Sequence, residues 1–145
     1  MKFPLDDITA CIIHEALKIH KTFGPGLLES AYELLLQRAL IKQGLRVERQ
    51  RLVSFSYDGI IFEKTFRVDL LVEDVVVVEV KSVEHAKPVH SKQLLTYLRL
   101  IKLPVGLLLN FGAATMKEGT ERIVNRLDPA RSPLLRVNRR AEPTG

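Results

Sequence analysis

The run Val75-Val76-Val77-Val78-Glu79-Val80-Lys81 limits what this chain can fold into more than any other segment. A stretch that is almost all valine reads as a strand covered on both faces, as in the interior of an α/β sheet. Glu79 and Lys81 interrupt it. A charge is rarely placed in a buried strand without a partner or a metal. Residues two apart on a strand project from the same face, so Glu79 and Lys81 sit side by side. Asp69 lies on the strand-like segment before them. Two carboxylates and one ammonium in a sheet suit a hard divalent cation and an activated water.

The remainder of the chain supplies a setting for such a strand. Asp6 or Asp7 can N-cap a first helix reaching about Thr22, with Ile8, Cys11, Ile12, Ala16 and Ile19 at helical spacing. Gly24-Pro25-Gly26 breaks it, and a second helix runs from about Leu27 to Gln43, before Gly44. Val47–Tyr57 and Ile61–Val72 read as strands joined by an Asp58-Gly59 hairpin turn. After Val75–Lys81, a helix from about His90 to Lys102 and a strand Val105–Phe111 are expected. Lys117–Leu127 fits either a helix or a strand. The expected architecture is a single α/β domain over residues 1–127: a mixed four-stranded sheet flanked by helices, in α-α-β-β-β-α-β order. Residues 128–145, with three prolines and four arginines, read as a basic surface arm.

In Ile61–Val72 the even positions Phe62, Phe66, Val68, Leu70 and Val72 are expected on a core face, and Asp69 on the polar one. The link to the next strand then carries a condition. If Glu73-Asp74 were a simple two-residue turn, Val72 would oppose Val75 and Asp69 would oppose Val78. Opposed residues share a face, so Glu79 would point away from Asp69. A common site requires an odd loop or a bulge, which shifts the pairing by one.

These residues carry a resemblance. Asp69 followed by Glu79-x-Lys81 resembles the signature of the PD-(D/E)xK nuclease superfamily, with Val68 where the nominal proline would stand. Gln93-Leu-Leu-Thr-Tyr97 resembles the Gln-x-x-x-Tyr element of its RecB-like branch. Gly26-Leu-Leu-Glu29-Ser-Ala-Tyr32 resembles the Gly-x-x-Glu-x-x-Tyr signature (GxxExxY) of a small bacterial family placed in that superfamily. Gly106–Gly112 and Arg122-Ile123-Val124 resemble that family too, so the likeness spans roughly Asp7 to Leu127.

The resemblance implies a restriction-endonuclease-like fold and a nuclease hydrolysing the phosphodiester bonds of DNA or RNA. It implies Mg²⁺ or Mn²⁺ on Asp69, Glu79 and the carbonyl of Val80, with Glu29 as an extra metal ligand or water anchor. Lys81 would orient the attacking water and steady the phosphate; beside two carboxylates it stays charged, which favours positioning over simple base action. Gln93 would hydrogen-bond a metal ligand or the substrate phosphate, and Tyr97 would brace the lysine or stack on substrate. Glu29 also has a structural reading, as an acid in the first turn of a helix. Gln93 and Tyr97 share one helical face, which an ordinary amphipathic helix also explains. Tyr32 reads as a packing residue.

Other chemistries lack their residues. The lone Cys11 gives neither a disulfide framework nor a thiolate zinc site. The four histidines show no metal-ligand spacing; His90, near the start of the Gln93 helix, is the one worth testing. No Ser-His-acid set accompanies Ser82, and Gly24-Pro25-Gly26 lacks the Lys-Ser/Thr ending of a phosphate loop. No signal peptide or apolar stretch near the roughly 20 residues of a membrane span is visible, so a cytoplasmic protein off the membrane is expected. The net charge of +5 leans toward a polyanionic partner, DNA before RNA, with a second copy of the chain as a further candidate. Basic residues cluster at Arg46, Arg49 and Arg51, at Lys87 and Lys92, and in the arm. Aromatic residues are only 6%, so a base-stacking platform is not expected from composition. The rival reading is a non-catalytic nucleic-acid-binding or interaction module that keeps the nuclease fold.

Overall fold

The computed structural model describes residues 3–126. The basic arm, 128–145, lies outside the described residues. Helix α1 spans Leu5–Phe23 and helix α2 Glu29–Lys42. Pro4, not Asp6 or Asp7, occupies the N-cap of α1. Both acids fall instead in its first turn, where they complement the positive end of the helix dipole. Ile8, Ile12, Ala16 and Ile19 form the buried stripe of α1, and Tyr32, Leu36 and Leu40 that of α2.

Strands β1 (Val47–Tyr57), β2 (Ile60–Val72) and β3 (Val76–Lys81) follow. Helix α3 (Pro88–Ile101) then crosses to β4 (Val105–Asn110). The sheet has a fifth strand. A four-residue helix, α4 (Met116–Gly119), leads into β5 (Thr120–Val124), which pairs antiparallel with β4. The expected four-stranded sheet is therefore five-stranded, in the order β1-β2-β3-β4-β5. β5 is a short edge strand with a single buried apolar residue, Ile123, so its periodicity is too weak to read alone. The sheet is mixed: β3 and β4 are parallel across the α3 crossover, and the other pairs are antiparallel.

Both faces are covered, as the valine run requires. Val76, Val78 and Val80 pack with α1 and α2, whereas Val77 packs with Leu94 and Leu98 of α3. Glu79 and Lys81 have the parity of Val77, so they project toward the α3 side.

The β2–β3 connection is the irregular one that a shared site demands. Val72 pairs with Val76, Leu71 with Val77 and Leu70 with Val78. Glu73 and Asp74 both adopt left-handed backbone, with φ of 52° and 55°, and the Val75 amide donates to the Val72 carbonyl at 3.1 Å. Val75 is the extra residue that makes the loop odd. The Glu73 carboxylate is buried and accepts the Arg46 amide at 2.6 Å, which pins the turn to the start of β1.

Candidate active site

The next step of this register sets Asp69 opposite Glu79. The Val80 amide donates to Asp69 Oδ2 at 2.8 Å, and the Asp69 amide makes a longer contact of 3.5 Å to Glu79 Oε1. The regular β2–β3 ladder stops at Leu70 and Val78. Beyond it an aspartate side chain, rather than a backbone carbonyl, takes the amide of β3. The Val80 carbonyl leaves the strand on the same side as that amide.

β2 changes face at this point, which corrects the expectation of one continuous even face. Leu70 and Val72 pack toward α1 and α2, but Val68 and Phe66 pack toward α3. On β1, Gln50 stands in left-handed backbone, φ 56°, between Arg49, which pairs with Leu70, and Arg51, which pairs with Val68. The two strands invert together, and Asp69 sits at the inversion. A left-handed non-glycine residue costs about 1–2 kcal/mol, and such strain concentrates at functional sites.

Glu79 is 9% exposed, and its pKa is raised to about 9. Burial is the main cause and the facing Asp69 carboxylate the next; Lys81 opposes them with a smaller effect. Lys81 itself is half-buried at the end of β3.

Sequence reasoning missed two polar neighbours. Gln50 Nε2 donates to Glu33 Oε1 at 2.6 Å and to Asp69 Oδ1 at 3.3 Å. Glu33, buried on α2, is also paired with Arg49 Nε at 3.0 Å. Its pKa is raised, first by burial, against the hydrogen bond from Gln50. Glu33 lies one helical turn after Glu29, a spacing that could have singled it out. Nothing local marks Gln50, because its role depends on an inversion shared with another strand.

The remaining residues are placed as follows. Glu29 opens α2, and its Oε2 accepts the Ser82 amide at 3.2 Å, one residue past Lys81. Tyr32 is fully buried, stacks on Phe111 with centroids 4.4 Å apart, and donates its hydroxyl to the Gly24 carbonyl. Tyr97 stacks on Phe66 at 4.2 Å. Its pKa is raised by burial and then by the Glu79 and Asp69 charges. Gln93 is exposed on α3. His90 Nδ1 accepts the Lys87 amide at 3.3 Å, a capping role at the start of α3.

Two facing carboxylates, one of them desolvated, followed by a lysine on the same strand face are an electrostatically costly set for a cation-free protein. Their oxygens and the Val80 carbonyl are the donors that hard divalent ions take. Among the described residues no three His, Cys, Asp or Glu side chains converge as a cage. A model of the PD-(D/E)XK nuclease superfamily matches residues 6–123, a span that contains the whole of this set. The chain belongs to the PD-(D/E)XK nuclease superfamily. Among solved structures, that of SSO0001 is 19% identical, with 90% of this chain and 83% of that chain covered and a TM-score of 0.38. No curated protein matches the chain. Membership supports a nucleic-acid substrate and divalent-metal chemistry in general terms.

Proposed function

We propose that this superfamily member is a Mg²⁺- or Mn²⁺-dependent nuclease that hydrolyses phosphodiester bonds in nucleic acid. The observation that carries this reading is the register placing Asp69 against Glu79, with the Val80 amide on Asp69 Oδ2. Asp69, Glu79 and the Val80 carbonyl would hold the ion. The second oxygen of Glu29, the one not engaged by Ser82, would anchor a water or act as a further ligand. The bound ion supplies a water of lowered pKa and neutralises charge on the phosphate. Lys81, on the face of Glu79, would orient that water and hold a phosphate oxygen by its positive charge. Tyr97 would brace this end of the site, and Gln93 would reach the substrate phosphate. The Gly26–Tyr32 and Gln93–Tyr97 motifs support placement in the GxxExxY family and the RecB-like branch.

The test is a cleavage panel of single- and double-stranded DNA and RNA with Mn²⁺ and with EDTA. Cleavage that requires metal and is lost in Lys81→Ala supports the reading; metal-independent cleavage, or full activity in that variant, refutes it. The rival reading is a binding module that keeps the fold with a vestigial site. Calorimetric titration with Mn²⁺ separates the two, because such a module binds no cation.

A further inference from the structure

We propose that Gln50 is a positioning residue for the cation site: its side-chain amide, anchored on Glu33, holds Asp69 in the orientation that binds the ion. The β1–β2 pairing runs from Arg49 with Leu70 to Arg51 with Val68, which leaves Gln50 opposite Asp69. Gln50 Nε2 carries two hydrogens. One is donated to Glu33 Oε1 at 2.6 Å and the other to Asp69 Oδ1 at 3.3 Å. The Val80 amide donates to Asp69 Oδ2 at 2.8 Å. Donors from the two neighbouring strands, one to each oxygen, thus fix the rotation of the carboxylate. A carboxylate oxygen has two acceptor sites, so each Asp69 oxygen keeps one for a cation.

Joining α2 to the sheet does not explain this arrangement. Arg49 already does so: its Nε pairs with Glu33 Oε1 at 3.0 Å, and its Nη2 donates to the Ser30 carbonyl at 3.3 Å. Glu33 is buried and held by Arg49, which makes it a fixed base for the Gln50 amide. The bond from Gln50 to Asp69 is not needed for that join. Gln50 also stands at φ 56° without being a glycine. Such backbone persists where the surroundings over-determine it, and it clusters at functional sites. The chemistry of the side chain points the same way. A lysine or arginine at this position would offer donors, but its charge would repel a cation at Asp69. A neutral amide orders the carboxylate and leaves its charge for the ion. Metal ligands are commonly oriented by outer partners of this kind.

This role rests on the nuclease reading, through Asp69 as a cation ligand. The experiment is calorimetric titration of Mn²⁺ into the full chain, with thermal unfolding of each variant alongside. Gln50→Ala and Gln50→Gly should both weaken Mn²⁺ binding, by about 10- to 100-fold. Glycine relieves the left-handed backbone and alanine does not, so the two variants should differ in stability and match in affinity. Glu33→Gln still offers a carbonyl oxygen to the Gln50 amide and should keep most of the affinity. Glu33→Leu offers none and should lose as much as Gln50→Ala. Unchanged affinity in Gln50→Ala, or affinity that recovers with stability in Gln50→Gly, makes Gln50 a structural residue and overturns the proposal while the nuclease reading stands. Equal losses in Glu33→Gln and Glu33→Leu trace the effect to the Glu33 charge and overturn the anchoring through Gln50. Absence of Mn²⁺ binding in the unsubstituted chain removes the nuclease reading and this proposal with it, a result distinct from all the others.

Discussion

At Glu79 two effects act in the same direction. Burial and the facing Asp69 both favour the protonated carboxyl, and together they lift its pKa to about 9. The folded chain thus holds a proton there that the unfolded chain releases above the ordinary value of 4.5. Below pH 4.5 both states are protonated and nothing is lost. Between there and about pH 9 the fold loses stability as pH rises, and above it the loss is complete. Urea unfolding of the cation-free protein at pH 5, 7 and 9 should show this decline, and Glu79→Gln should flatten it. Cation binding must expel the proton, so Mn²⁺ affinity should climb by up to about tenfold per pH unit between pH 6 and 8; a flat profile by calorimetry would contradict the assignment. Alanine at Asp69, Glu79 or Lys81 should abolish cleavage, with circular dichroism unchanged. Gln50 offers a separate test. Gln50→Ala removes its hydrogen bonds to Glu33 and Asp69 while keeping the left-handed backbone, and should cost about 1–3 kcal/mol. Gln50→Gly loses the same bonds but relieves the strain, so it should melt above Gln50→Ala.

Among the elements, the β2–β3 hairpin is the decisive one. Its odd loop turns two separate charged residues into a facing pair. Glu73 secures that loop by accepting the Arg46 amide from a buried position. Glu73→Ala should leave that amide unsatisfied and cost about 1–3 kcal/mol in urea unfolding. The requirement for an odd loop or a bulge was legible in the sequence, because with a strand period of two only a shift of one residue brings Asp69 and Glu79 to a shared face. The particular loop was not legible: neither Glu73 nor Asp74 is a glycine, and both nevertheless adopt positive φ. The face change in β2 was also hidden. Phe62 to Val72 reads as one alternating strand until Gln50 on β1 shows where both strands invert. β5 escaped because an edge strand with little to bury carries little pattern.

Over the whole molecule, positive charge and an acidic centre have to coexist. The chain carries +5 overall, and binding to a polyanion should weaken steeply as salt rises from 50 to 200 mM, which anisotropy in EDTA would measure. Among the described residues no helix is long and apolar enough to cross a membrane. By itself the sequence determined the α/β class and the buried strand, and it singled out Asp69, Glu79 and Lys81 as candidates. These follow from local periodicity and from the cost of placing charge among valines. Only the tertiary structure decided which groups meet them. Gln50 reaches Asp69 at a strand inversion and ties it to Glu33 of a packed helix. Glu29 goes to the Ser82 amide, and Phe55, Phe62, Phe66 and Tyr97, scattered through a chain that is 6% aromatic, stack on one another. Such meetings depend on register and crossover between distant segments, which no local pattern encodes.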